Sequence, residues 1–390
     1  MSMSPWPSFG EEEISAVADV LRSNKVNYWT GQEGREFEKE FAAAFDSKHA
    51  IAVANGTVAL DLALIGIGIG PGDEVIVTPR TFLASVSSVV TAGATPVFAD
   101  VDRNSGNIEA HTIEPVITDK TKAIIPVHLA GWPADMDPIM ALADKHGLKV
   151  IEDCAQAHGA RYKGKSVGSI GHVGAWSFCQ DKIMTTGGEG GMVTTDDEEM
   201  WSRMWSYKDH GKSWDAVYNR EHAPGFRWLH ESFGTNWRMT ELQSVIGRKQ
   251  VAMMPAWHQR RTDIASAYQA AWGAIEGLRL PRPAPDNGTR HAWYKFYGYV
   301  EPEKLAAGWD RDRIIAEIVD AGVPCFQGSC SEVYNEKAFD GTGLRPEAPL
   351  PVAKELGETS IMWLCHPTLT DEEVEKVATV SADVLRRAFA

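Results

Sequence analysis

The chain has 390 residues, 44% hydrophobic and 23% charged, and its 38 Lys and Arg against 53 Asp and Glu give a net charge of −15. That length supports one large α/β domain and a smaller second one. The acidic balance excludes a general attraction for a phosphate backbone, so no nucleic-acid partner is expected.

The first segment, "SFGEEEISAVADVLRS", carries a capping-box spacing at Ser8 and Glu11. Ile14, Val17, Ala18 and Leu21 follow at helical period, which predicts a first helix. Phe37, Phe41 and Phe45 form a second apolar stripe. "HAIAVA" then reads as a buried strand, "NGT" as a turn and "VALDLALIG" as a helix. The apolar run through residues 50–70 is interrupted by Asn55, Asp61 and several glycines, so it lacks the unbroken length of a membrane span. "GIGIG" (Gly66–Gly70) sits at the end of a helical pattern, the wrong context for a dinucleotide-binding turn, and reads as a helix stop.

"DEVIVTP", "TPVFADV", "KAIIPVHL" and "LKVIEDC" continue as short apolar runs separated by helical segments such as "PIMALADKHG". This alternation predicts a largely parallel sheet covered on both faces, with ligands at the carboxyl ends of its strands. After Gly191 the pattern changes. "DEEMWSRMWSYKDHG" predicts a helix, residues 211–235 a long Trp-rich loop, and "RMTELQSVIG…SAYQAAW" one or two long helices. A smaller α+β domain is expected from 255, giving domains 1–254 and 255–390. The five cysteines (Cys154, Cys179, Cys325, Cys330, Cys365) are widely spaced with no CxxC, and read as free thiols in a reducing cytoplasm. "MSMSPWPSFG" runs directly into "EEEIS" without a signal pattern.

Three segments carry chemistry. In "NGT", Gly56 and Thr57 open a helix after a strand. Such an end presents free N–H groups and a positive dipole to a phosphate, although a plain strand-to-helix turn has the same spelling. In "VIEDCAQAHGA", Glu152 and Asp153 end a strand. Consecutive strand residues face opposite ways, so only one of them can face a given pocket, and a helix-capping role is the competing reading. Lys182, in "SFCQDKIMTTGGEGGMV", is either a solvated loop residue or a pocket amine able to bond a carbonyl carbon. A phosphate cradle, a strand-end acid and a later lysine in one β/α domain are the parts that pyridoxal 5'-phosphate requires.

With these residues in view, the chain resembles the DegT/StrS-type nucleotide-sugar aminotransferases, pyridoxal phosphate enzymes of fold type I. The resemblance spans nearly the whole chain and is densest from "VIEDCAQAHGA" to "GGEGGMV", with further matches in "NGTVALDLAL", "PRTFLAS" and "TNWRMTELQSVIG". It implies a large domain with a mostly parallel sheet flanked by helices and a small C-terminal α+β domain. It also implies that Lys182 bonds the cofactor aldehyde and then shuttles a proton, and that Asp153 pairs with the pyridinium nitrogen. Gln156 would lie near the ring hydroxyl and Phe82 would stack on the ring. Gly56, Thr57 and Ser177 would hold the phosphate, and Asn236 would reach the neighbouring subunit's phosphate. His158 matches the pattern too, with packing as the competing role, and no metal is implied.

The implied reaction moves an amino group from L-glutamate to a nucleotide-linked keto-sugar, at C4 or C3 of a 6-deoxyhexose, in a cytoplasmic homodimer with shared sites. Dehydratase or cyclitol chemistry and a non-catalytic regulatory role are the alternatives. The chain departs from the family pattern in three places: an extra glycine after Lys182, a long gap from Lys182 to Asn236, and "GVPCFQGSCSEVYNEKAF" where many members carry a His-containing segment.

Overall fold

The computed structural model describes residues 3–284 and 287–389. Its larger sheet is built from β1 (His49–Val53), β2 (Glu74–Val77), β3 (Thr95–Phe98), β4 (Thr121–Ile125), β5 (Lys149–Asp153), and, after a small hairpin of β6 (Arg161–Tyr162) and β7 (Lys165–Ser166), from β8 (Val173–Ser177) and β9 (Gly191–Thr195). The order is β1-β9-β8-β5-β4-β2-β3. β2, β3, β4, β5 and β8 pair in parallel, and β9 runs antiparallel to both of its neighbours. Helices cover both faces, so the central strands are apolar throughout: Val75, Ile76, Val77, Ile124, Ile125, Val150 and Ile151 are fully buried. Phe37 and Phe41 lie on the helix Glu33–Ala44 and Phe45 caps its C-terminus, all three buried against Trp176 and Phe178 of the β8 region. Burial of each ring contributes about 1.5–3 kcal/mol.

A second, antiparallel sheet follows, ordered β10 (Leu278–Arg279), β11 (Lys295–Val300), β13 (Ser360–Leu364), β12 (Cys325–Phe326). The helix Glu241–Trp272 reaches it from the larger sheet as one 32-residue element with Pro255 inside. Its Tyr268 and Trp272 pack on Phe296 and Trp363.

Local details differ from the sequence reading in three places. The first helix begins at Glu11 with Gly10 as its cap, so the box is not Ser8–Glu11. The Glu13 carboxylate instead accepts from the Gly10 N–H at 2.8 Å. The stripe of that helix is not turned inward. Glu13 and Val20 are its buried residues, while Ile14 and Leu21 are 53% and 54% exposed. Glu13 is drawn in because its carboxylate also accepts from Gln250 Nε2 at 2.8 Å. The 211–235 segment includes a short helix, Trp214–Tyr218, held by Trp214 against Trp201 and Trp205. No helix among the described residues is long and apolar enough to cross a membrane.

Candidate active site

A cavity of about 1060 Å³ opens at the carboxyl ends of the parallel strands and is closed on its far side by β11, β12 and β13. The volume is at the upper end for ligand sites, enough for a cofactor and a substrate together. Gly56, Thr57, Phe82, Asp153, Gln156, Ser177 and Lys182 all line it. Asn236 does not. It lies exposed on the strand-like bridge to Asp209, away from the cavity wall.

Strand alternation separates the two acids at the end of β5. Asp153, 4% exposed, faces the cavity. Its Oδ2 accepts from Ser85 Oγ at 2.7 Å and its Oδ1 from the Ala155 N–H at 3.1 Å. Ser85 Oγ is in turn 2.7 Å from Thr81 Oγ1. Glu152 faces the other way and accepts from His128 Nε2 at 2.9 Å and from the N–H groups of Gly168, Ile170 and Gly171 at 2.8, 2.8 and 2.6 Å. Burial alone would raise the Glu152 carboxyl, but the His128 hydrogen bond and these amides outweigh it and hold it below its usual range. His128 Nδ1 accepts from the Ala134 N–H, which leaves the ring proton on Nε2, facing Glu152. The compact His128, Glu152 and Cys154 group is therefore occupied by hydrogen bonds and offers no free ligand set.

Gly56 is the first residue of the helix Gly56–Ile67, capped by Asn55 Oδ1 accepting from the Val58 N–H at 3.0 Å. A Cβ at Gly56 would lie 2.5 Å from Ser177 Cβ, so only glycine lets the helix end meet the end of β8. Gln156 is oriented by the Ala130 N–H, which donates to its Oε1 at 2.8 Å. Phe82 is 71% exposed, a bare ring face on the cavity wall. The extra glycine is accommodated by positive φ at Gly187 and Gly188, 83° and 117°, so the turn after Lys182 uses both.

Lys182 lies in the connection from β8 to β9. Its N–H donates to the Cys179 carbonyl at 3.1 Å, and its Nζ stands 5.3 Å from the Tyr294 ring centre. Its own carbonyl accepts from Trp6 Nε1 at 2.8 Å, so the N-terminal segment is tied directly to the lysine backbone. The Tyr294 hydroxyl donates to Asp181. Burial would raise the Asp181 carboxyl, but the Lys182 charge, the Tyr294 bond and the Lys295 charge hold it low. His158 is fully buried between Trp176 and Phe178 with neither ring nitrogen hydrogen-bonded among the described residues. Burial first, then the Lys182 and Arg261 charges, lower it to about 3, so the ring is neutral and serves packing. Sequence reasoning did not single out Ser85, Asp181, Tyr294, Lys295 or Trp6. Ser85 ends the quoted "PRTFLAS", and Tyr294 and Lys295 fall in the aromatic run "HAWYKFYGYV".

The residues fit pyridoxal 5'-phosphate. A buried carboxylate keeps lone pairs toward the cavity, the N-terminus of the helix Gly56–Ile67 opens onto the same cavity at Gly56 and Thr57, and an amine stands on the same wall. Fold and site together define a pyridoxal-phosphate-dependent aminotransferase of fold type I. Residues 7–381 match the model of the DegT/DnrJ/EryC1/StrS aminotransferase family, and the chain belongs to that family. The spore coat polysaccharide biosynthesis protein SpsC of Bacillus subtilis is 39% identical over 98% of this chain and 96% of its own. The dTDP-3-amino-3,4,6-trideoxy-alpha-D-glucose transaminase of Streptomyces venezuelae is 38% identical over 94% of this chain and 90% of its own. Among solved structures, the aminotransferase from Psychrobacter cryohalolentis superposes with a TM-score of 0.98, at 64% identity and 100% coverage of both chains.

Proposed function

We propose that the protein moves an amino group from L-glutamate to a keto group at C4 or C3 of a nucleotide-linked 6-deoxyhexose, working in the cytoplasm as a homodimer with shared sites. The aminotransferase chemistry on a nucleotide sugar, for amino-sugar biosynthesis, is that of its family relatives. The observation that carries the reading is one cavity in which Lys182, Asp153 and the Gly56–Ser177 helix end line a common wall, with space left toward β11 to β13.

The bound cofactor supplies an electron sink and a carbonyl carbon. This chain's residues do the rest. Asp153 keeps a proton on the pyridine nitrogen, its own orientation set by Ser85 and Ala155. Gly56, Thr57 and Ser177 would hold the phosphate, Gln156 would lie near the ring hydroxyl and Phe82 would stack on the ring, all of them lining the one cavity. Lys182 would hold the cofactor through its aldehyde, and its amine, when free, would serve as base and then acid for the proton that moves. The exposed position of Asn236 supports a role in the partner's site. The exposed Phe226, Trp228 and Phe233, 76%, 80% and 99%, lie just before it and suit a surface covered by a second copy. Domains 1–254 and 255–390 remain our division, supported by Pro255 inside the connecting helix and a second sheet that begins at Leu278.

The test is the visible absorbance of the cofactor-loaded protein before and after L-glutamate. Loss of the band with glutamate and its return with a nucleotide keto-sugar is the expected result. A band that no amino donor removes overturns the transamination reading.

A further inference from the structure

Among the described residues that line the cavity, the acids are Asp153, Asp181, Glu189 and Glu336, and the cationic side chains are Lys182 and Lys295 alone. Both substrates in the proposed reaction are anions. The amino donor's carboxylate is the nearer to the reacting amine, since it is attached to the carbon that bears the nitrogen. An anion brought to this wall meets more negative than positive groups. Once the Lys182 amine is engaged in bonding, one cation remains to receive it.

Lys295 is placed for that task. It is the first residue of β11, held in register opposite Leu364 of β13, so its backbone belongs to a paired strand rather than a loop. Its Nζ stands 4.7 Å from the centre of the Tyr294 ring, the same ring that Lys182 Nζ approaches at 5.3 Å. The ring is fixed by its hydroxyl bond to Asp181. Lys295 forms no hydrogen bond or ion pair among the described residues, which leaves its three N–H donors directed at the cavity and its solvent. Burial lowers the ammonium to about 8, the Asp181 charge partly offsets this, and the Arg261 and Lys182 charges add to the lowering. A carboxylate beside it would restore the lost stabilisation.

We propose that Lys295 is the carboxylate-binding residue for the amino donor, its ammonium pairing with a carboxylate of a dicarboxylic amino acid held beside Lys182. This rests on the donor reading above, and it is tested apart from turnover with glutarate, a dicarboxylate that has no amine to transfer. Glutarate binding to the cofactor-loaded protein is read from the shift of the visible band or by calorimetry, for wild type, Lys295→Met and Lys295→Arg, with uridine diphosphate as a second probe. We expect Lys295→Met to weaken glutarate by about tenfold or more, Lys295→Arg to keep it within about threefold, and neither to change uridine diphosphate binding. The half-saturating L-glutamate concentration should rise in parallel. Glutarate affinity unchanged in Lys295→Met overturns the proposal. So does a loss confined to uridine diphosphate, which would assign Lys295 to the nucleotide. A wild-type protein that binds glutarate through Lys295 but is not bleached by glutamate would overturn the donor reading and leave the carboxylate site standing.

Discussion

Glu152 and Asp153 are neighbours in sequence with opposite surroundings. Asp153 has two hydrogen-bond donors and faces the cavity, so its charge is available to a bound cation. A neutral amide of the same shape can keep the Ser85 contact but cannot hold a pyridinium proton. Asp153→Asn is therefore expected to lower kcat by about a hundredfold or more while leaving the thermal midpoint nearly unchanged. A variant with wild-type kcat would remove Asp153 from the mechanism. The pair also shows what single residues told in advance. Strand alternation made it certain that one acid would face away, but which one depended on the register of β5 against β8, where Asp153 pairs with Ala175. Lys295 was invisible for a related reason: a lysine in an aromatic strand has no spacing that distinguishes a pocket amine from a solvated one.

At the scale of elements, Glu152 ties β5 to the turn that enters β8. Its carboxylate collects three backbone N–H groups from residues 168–171 and one imidazole proton, all out of water. Glu152→Gln leaves some of these donors without an acceptor and should cost about 3–5 kcal/mol, read from urea unfolding at neutral pH. The pH dependence has a definite sign. The folded carboxyl lies below its ordinary value of 4.5, so its contribution is complete above that value and is lost as pH falls through the folded one. The wild type should therefore lose stability as pH drops below about 4.5. Glu152→Gln should show a shallower decline, and equal slopes would refute the assignment. The strands β1 to β5 and the Phe37–Phe41–Phe45 helix were legible because their apolar runs and period match complete burial. The strand β9 was not, because "GMVTT" is short and enters through glycines in a segment that the motif dominates. The first helix misled because Ile14 and Leu21 have the period of an inward stripe and face outward.

For the whole molecule, the prediction concerns sharing of sites. If Asn236 serves the partner's phosphate, Lys182→Ala and Asn236→Asp proteins should each be nearly inactive alone. Their hybrid, formed by refolding the two together, should regain activity through the one site that combines an intact lysine with an intact asparagine. A hybrid as inactive as its parents would mean that each subunit builds its site alone. The long gap before Asn236 was visible in the sequence, but its exposed aromatics, Phe226, Trp228 and Phe233, became interpretable only when the fold left them uncovered.

The placement of β9 has a further consequence, for the order in which the chain can fold. The strand β1 lies at the sheet's edge, and among the described strands only β9 pairs with it, so its strand partner is the last of that sheet to be made; Val53 adds one bridge to Arg238, later still in the chain. At the usual pace of protein synthesis, about 5–20 residues per second, "HAIAV" waits for about 7–30 s before "GMVTT" exists to receive it. During that time an apolar strand has free edges on both sides, which makes it a natural target for holding chaperones and the first place where hurried expression would turn into aggregation.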